Sequence, residues 1–268
     1  MPTTTVTIQG LSVAFADAAP ALPPRPPLLL VHGLSGGAWY WARYQRFLAA
    51  RGYASHAVDL RGRGASRPVP DFGRVALNDY VEDALAVARH LPEPPVVIGH
   101  SMGGLIALKL AEAGAVRAAV LLCAAPPRGI PITSAALVVR QLKHLPAMLL
   151  SRPLAGTRAD HDHLTFNRVP PAERAAFFDR LVPESGRVAR ELSIGTLAVD
   201  PARVRCPLLS ASAAEDRFVP PSVGRRIAAR YGAEHRVFAG HGHFIVAEPG
   251  WEGPADAIER WIAAAVPS

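Results

Sequence analysis

One serine in this chain stands in a setting that could make it a nucleophile. Residues 96–106 read VVIGHSMGGLI. A short apolar run, a glycine-flanked serine and a stretch apolar nearly all round predict a buried strand, a tight turn and a buried helix. In that context Gly99-His100-Ser101-Met102-Gly103 is a nucleophile elbow: small neighbours let the turn close and the Ser101 hydroxyl is presented at the carboxyl end of the sheet. The helix N-terminus behind it offers free N–H groups and partial positive charge. The Met102 N–H is then placed to meet a developing oxyanion. The chemistry this implies is acyl transfer.

A serine hydroxyl is a poor nucleophile at neutral pH and needs a base within hydrogen-bond reach. The chain has ten histidines. His90 and His144 close predicted helices, His56 and His235 lie in or at strands, His32 supports the loop at Gly33, and His100 is expected to point away from Ser101. Two pairs remain: His161 with His163, and His241 with His243. The run Asp160-His161-Asp162-His163 has metal-ligand residue types, but no second cluster with ligand spacing accompanies it, and a solvated loop is expected there. His241 and His243 sit in FAGHGHFIVAEPG, where the glycines favour a loop. Asp216, after the strand-like LLSAS, is the acid candidate, with Glu215 beside it as a competitor.

The elements that must position these residues alternate. Strands are expected at Leu28–Val31, Ser55–Asp59, Val96–Ile98, Val120–Cys123, Leu208–Ala211 and His235–Phe238. Helices are expected at Trp39–Arg51, Asn78–His90, Gly103–Ala113, Ser222–Tyr231 and Trp251–Ala265, and an N-terminal hairpin could turn at Gly10. This alternation predicts an α/β fold: a mostly parallel sheet with helices on both faces. The pattern breaks between residues 126 and 204. A structureless loop of that length is improbable on physical grounds, and helix-like pieces occur at Thr133–His144, Pro171–Leu181 and Arg187–Leu197. The expected organisation is therefore a core of residues 1–125 and 205–268 with a helical cap of residues 126–204 over the strand ends. The segment PITSAALVVRQLKHLPAMLL is strongly apolar, and its reading is split between packing on the core and lining an acyl pocket. Trp39, Tyr40 and Trp41 are expected to pack, not to bind.

With these motifs in order, the chain resembles the α/β-hydrolase superfamily over nearly its whole length, and its serine esterase and lysophospholipase-like branch in particular. The matching features are LLLVHGLSGGAWYW, the turn Asp59-Leu60-Arg61-Gly62-Arg63-Gly64, GHSMGG, the segment Glu215–Pro220 and the C-terminal Gly240-His241-Gly242-His243. The resemblance implies Ser101 as nucleophile, Asp216 as acid and His243 as base. It implies Leu34 N–H as the oxyanion donor that works with Met102 N–H. It leaves His241 as a loop residue. HGLS in place of HGGG transfers only the simpler oxyanion arrangement. Arg63 stands where many members carry His, which carries little chemical information. A serine nucleophile argues against the branches that use a carboxylate. The expected activity is hydrolysis of carboxylic esters with small to medium apolar acyl groups, needing no cofactor and no metal. The alternatives are a lyase or carbon–carbon hydrolase on the same triad, or a non-hydrolytic binding protein of this fold.

Composition bounds the setting. The 268 residues are 50% hydrophobic, enough for a large core. The formal charge is +7, yet the arginines are scattered without basic runs or interleaved aromatics, so nucleic acid is not an expected partner. The expected partner is a small-molecule ester. No run reaches the roughly 18–20 apolar residues of a membrane span. The first residues lack a basic stretch ahead of an apolar one, so no signal peptide is expected. Cys123 and Cys206 in apolar surroundings suit reduced thiols, hence a cytoplasmic protein.

Overall fold

The computed structural model describes residues 3–19, 22, 25–132 and 139–267. Its centre is an eight-stranded sheet in the order β1-β2-β4-β3-β5-β6-β7-β8. The strands are β1 (Thr4–Ile8), β2 (Leu11–Ala16), β3 (Leu28–Val31), β4 (Ser55–Val58), β5 (Val96–His100), β6 (Ala118–Leu122), β7 (Leu208–Ala213) and β8 (Glu234–Phe238). β1 and β2 form the expected hairpin, and β2 lies antiparallel to β4. Every pairing from β4 through β3, β5, β6 and β7 to β8 is parallel. This is the α/β-hydrolase fold expected from the sequence.

Alternation along the strands explains why both faces are covered. Leu29, Val31, Val97, Ala119 and Leu121 point to one core. Leu28, Leu30, Val96, Ile98, Ala118 and Val120 point to the other. The first core is closed by α2 (Leu77–His90), α3 (Met102–Glu112) and α8 (Pro221–Tyr231). The second is closed by α1 (Ala42–Ala49) and α9 (Glu252–Ala265), through Tyr44, Leu48, Ile258 and Ile262. A fully parallel central sheet with continuous apolar strands requires this two-sided cover. The expected helix over Trp39–Arg51 is split: a 3₁₀ turn at Ala38–Trp41 precedes α1. Trp41 packs fully buried as expected, and Tyr40 is also buried.

Between β6 and β7 lie α4 (Leu145–Leu149), α5 (Arg158–Leu164), α6 (Pro171–Phe178) and α7 (Gly186–Ile194). The first half of the expected helix Thr133–His144 falls on residues 133–138, outside the described residues. The remainder runs through a 3₁₀ turn, Leu142–His144, into α4. Pro146 does not break α4 because it occupies the first turn, where its missing N–H has no helical acceptor to lose. The Asp160–His163 run is helical, not a solvated loop. Thr157 caps α5 and exchanges hydrogen bonds with Asp160, a capping box that the loop reading overlooks.

Candidate active site

Ser101 occupies the turn between β5 and α3 with φ 56° and ψ −117°. Glycines make the turn possible. A Cβ on Gly99 would lie 2.0 Å from the Gly103 carbonyl oxygen, and one on Gly103 would lie 2.1 Å from that of Val31. Both contacts are with backbone, which cannot move aside. The Ser101 N–H donates to Leu122 O at 2.9 Å, and its carbonyl accepts from Ala125 N at 2.9 Å. The elbow is thus pinned to the end of β6.

The sequence leaves four histidines open, and the structure brings one of them to Ser101. His243 Nε2 lies 3.0 Å from Ser101 Oγ, and its Nδ1 lies 2.7 Å from Asp216 Oδ2. Asp216 Oδ1 accepts from the N–H groups of Phe218 and Val219, each at 2.8 Å. All three side chains are buried. A carboxylate held by two backbone donors can only accept, so Nδ1 of His243 carries the proton and Nε2 faces the serine hydroxyl as an acceptor. Glu215, the rival acid, turns outward and pairs with Arg168 at 3.2 Å. His241 stays in the loop beside Glu248. His161 is hydrogen-bonded to Thr165 Oγ1, and burial lowers its pKa to about 4. His163 faces Arg217 on the exterior.

Two further histidines brace this arrangement. His100 Nε2 donates to the His243 carbonyl at 2.8 Å, and the two rings lie 4.9 Å apart. Burial, with His243 nearby, lowers the His100 pKa to about 3, so it is a neutral support. His32 Nδ1 donates to Gly33 O at 2.8 Å, and its Nε2 accepts from Leu60 N at 3.4 Å. Burial, and then the positive charge of Arg63, lower its pKa to about 3. His100 makes no hydrogen bond to Ser101 among the described residues, and its hold on the His243 carbonyl has no counterpart in the sequence reading.

Gly33 approaches the elbow so closely that a Cβ there would lie 3.1 Å from Ser101 Cβ. Leu34 and Met102 flank Ser101 at the floor of one cavity. Neither of their N–H groups has a protein acceptor among the described residues. The loop bearing Leu34 is tied down by a residue that sequence reasoning does not single out. Glu184 accepts from Ser35 N at 3.0 Å, from Ser185 N at 2.8 Å and from Tyr80 OH at 2.8 Å. It also pairs with Arg63 at 2.6 Å, with both side chains buried. Arg63 thereby fastens the chain before α7 to the turn after β4. An acid in the polar tripeptide Pro183-Glu184-Ser185 is the only sequence signal, and its partner lies far away along the chain.

The cavity above Ser101 has a volume of about 500 Å³. Ile130, Met148, Leu164, Leu192, Phe218 and Phe244 contribute apolar walls, drawn from both the sheet ends and the 126–204 segment. Gln141, His144 and Arg140 border it as well, with Arg140 held by Asp160 at 3.3 Å. So part of the apolar segment 131–150 does line a pocket, though through its polar residues as much as its apolar ones. Cys123 and Cys206 are free thiols. Cys123 Sγ lies within 4.8 Å of ligand-type atoms of Asp216 and His243, and burial pushes its pKa up, which keeps it a neutral thiol.

Comparison with known proteins agrees with this architecture. A monoacylglycerol lipase of Mycolicibacterium smegmatis is 26% identical over 95% of this chain and 94% of its own. A pimeloyl-[acyl-carrier protein] methyl ester esterase of Chromobacterium violaceum is 44% identical, over 31% of this chain and 30% of that protein. The chain thus spans under a third of that relative and nearly all of the lipase. Among solved structures, the monoacylglycerol lipase of Paleococcus ferrophilus superposes with a TM-score of 0.75 at 24% identity, over 95% of this chain and 99% of that one. The sequence profile described as "Alpha/beta hydrolase family" matches residues 28–256, and the chain belongs to that family.

Proposed function

We propose that this protein is a serine hydrolase that cleaves carboxylic esters of small to medium apolar acyl groups. The observation that carries the reading is the hydrogen-bonded series Ser101–His243–Asp216 at the floor of an apolar cavity. His243 Nε2 takes the Ser101 proton as Oγ attacks the ester carbonyl carbon. Asp216 holds the imidazole in the required tautomer and stabilises the imidazolium. The N–H groups of Leu34 and Met102 receive the oxyanion, each donor worth about 3–4 kcal/mol in sites of this kind. His243 then returns the proton to the departing alcohol. Water, activated by the same imidazole, releases the acid from Ser101.

In this reading, residues 126–204 act as a cap that shapes specificity above a core of residues 1–125 and 205–268. A volume near 500 Å³ with largely apolar walls suits an apolar acyl chain of limited length. Family relatives named as esterases and lipases support ester chemistry. Two unpaired cysteines support a reducing, cytoplasmic setting.

A fluorophosphonate probe tests the site. Labelling is expected at Ser101 and is lost in Ser101→Ala. A graded p-nitrophenyl ester series is expected to peak at short to medium acyl chains. An adduct elsewhere rejects the site assignment. An adduct at Ser101 without turnover of any ester rejects ester hydrolysis and favours lyase or binding roles on this fold.

A further inference from the structure

The helical stretch between residues 139 and 150 is inside out. Gln141, His144 and Met148 face the cavity above Ser101. Val139, Leu142, Leu145, Leu149 and Leu150 face solvent, with Leu142 58% and Leu149 63% exposed. Spacings of three and four residues place Val139, Leu142, Leu145 and Leu149 on a single helical side. Ile194, 68% exposed at the end of α7, belongs instead to the lining of the cavity, where Ser193 Oγ donates to Gln141 Oε1 at 3.0 Å. Among the described residues, half of the exposed large aliphatic side chains fall in the one short stretch 139–150. Scattered single exposures are ordinary, whereas a contiguous apolar side marks an interaction surface.

Its charge points to the occupant. Residues 139–152, VRQLKHLPAMLLSR, contain three cationic side chains and no carboxylate. Arg140 and Lys143 share Asp160, which leaves an excess of positive charge. Arg152 is exposed and forms no ion pair among the described residues. Exposed leucines rimmed by Lys and Arg are what an interfacial helix needs in order to lie on an anionic lipid surface. We infer that the face formed by Val139, Leu142, Leu145, Leu149 and Leu150 docks this protein reversibly on membranes carrying anionic headgroups. No helix of the described residues is long and apolar enough to cross a bilayer, so the association is peripheral. The inference does not depend on the ester chemistry, because vesicle binding is what decides it.

Co-sedimentation of the full chain with phosphatidylglycerol-containing and pure phosphatidylcholine vesicles tests it. The protein is expected to partition at least about tenfold more strongly onto the anionic vesicles, with the excess lost at high salt. Leu142→Asp/Leu149→Asp is expected to weaken binding about tenfold or more while leaving kcat/KM on a soluble short-chain ester unchanged. The milder Leu142→Ser/Leu149→Ser should show a smaller loss, so the test survives if the first variant misfolds. Val237→Asp, at an exposed apolar position on β8, should leave binding unchanged. Equal partition onto both vesicle types overturns the charge argument. No partition, or partition unaffected by the leucine variants, overturns the proposal. A dimer in sedimentation equilibrium that dissociates in the leucine variants, without vesicle binding, assigns the face to a second copy and overturns it too.

Discussion

Ser101 holds a backbone conformation that L-residues rarely adopt, at a cost of about 1–3 kcal/mol that the surrounding hydrogen bonds must offset. The geometry of its partners sets a clear mutational contrast. On the proposed chemistry, His243→Ala should lower kcat by several orders of magnitude, while His241→Ala should leave most of the activity, read with a p-nitrophenyl ester. A reversal would shift the assignment of the base by two residues. The pH dependence of stability follows from His32 and His100. Both fall from an ordinary value of 6.5 to about 3 on folding, so the unfolded chain binds more protons at any pH between. Their stabilisation is complete above pH 6.5 and is lost as pH falls toward 3. Urea unfolding at pH 7 and pH 5 should differ by roughly 2 kcal/mol for each of these histidines, and His100→Gln should reduce that slope. The elbow serine is legible because strand, glycines and helix are contiguous. The role of His100 is not, because its acceptor is a backbone carbonyl in a distant loop.

At the scale of elements, the β5–α3 junction tolerates no added atom. Gly99→Ala and Gly103→Ala each force a Cβ into fixed backbone, and each should cost about 3 kcal/mol or more. Gly253→Ala, where a Cβ meets nothing within 4 Å, should be neutral or slightly stabilising. Thermal melts of the three variants check the ranking. The central strands β3, β5 and β6 are readable because both of their faces are buried and their runs are almost entirely apolar. The helices between β6 and β7 are harder. α4 carries a proline, and α5 carries charged residues and histidines whose polar character imitates a loop. Only the Thr157–Asp160 capping box marks where α5 begins.

Across the whole molecule, the Arg63–Glu184 pair joins the turn after β4 to the chain leading into α7, with Tyr80 and the Ser35 amide on the same carboxylate. Removing one member strands the other charge in the interior. Arg63→Ala should therefore destabilise by about 3–5 kcal/mol in denaturant unfolding. Glu184→Gln should cost less stability but loosen the loop bearing Leu34, which is readable as a fall in kcat with a smaller change in KM. No local pattern announces such a pair. Its members meet only after the sheet and the intervening helices have assembled, which is why residue 63 looks idle in the sequence.

The neighbour relation of β6 and β7 has a consequence for how the chain is made. β6 pairs with β5 on one side and β7 on the other, yet all of residues 126–204 separate β6 from β7. During synthesis the entirely apolar Ala118–Leu122 strand therefore presents an unpaired edge until Leu208–Ala213 emerges. At about 5–20 residues per second that interval is on the order of ten seconds. An open apolar edge is a template for pairing with other chains. The nascent protein is thus most vulnerable to aggregation while its helical excursion is being translated. A chain stopped just after β6 would keep that liability permanently.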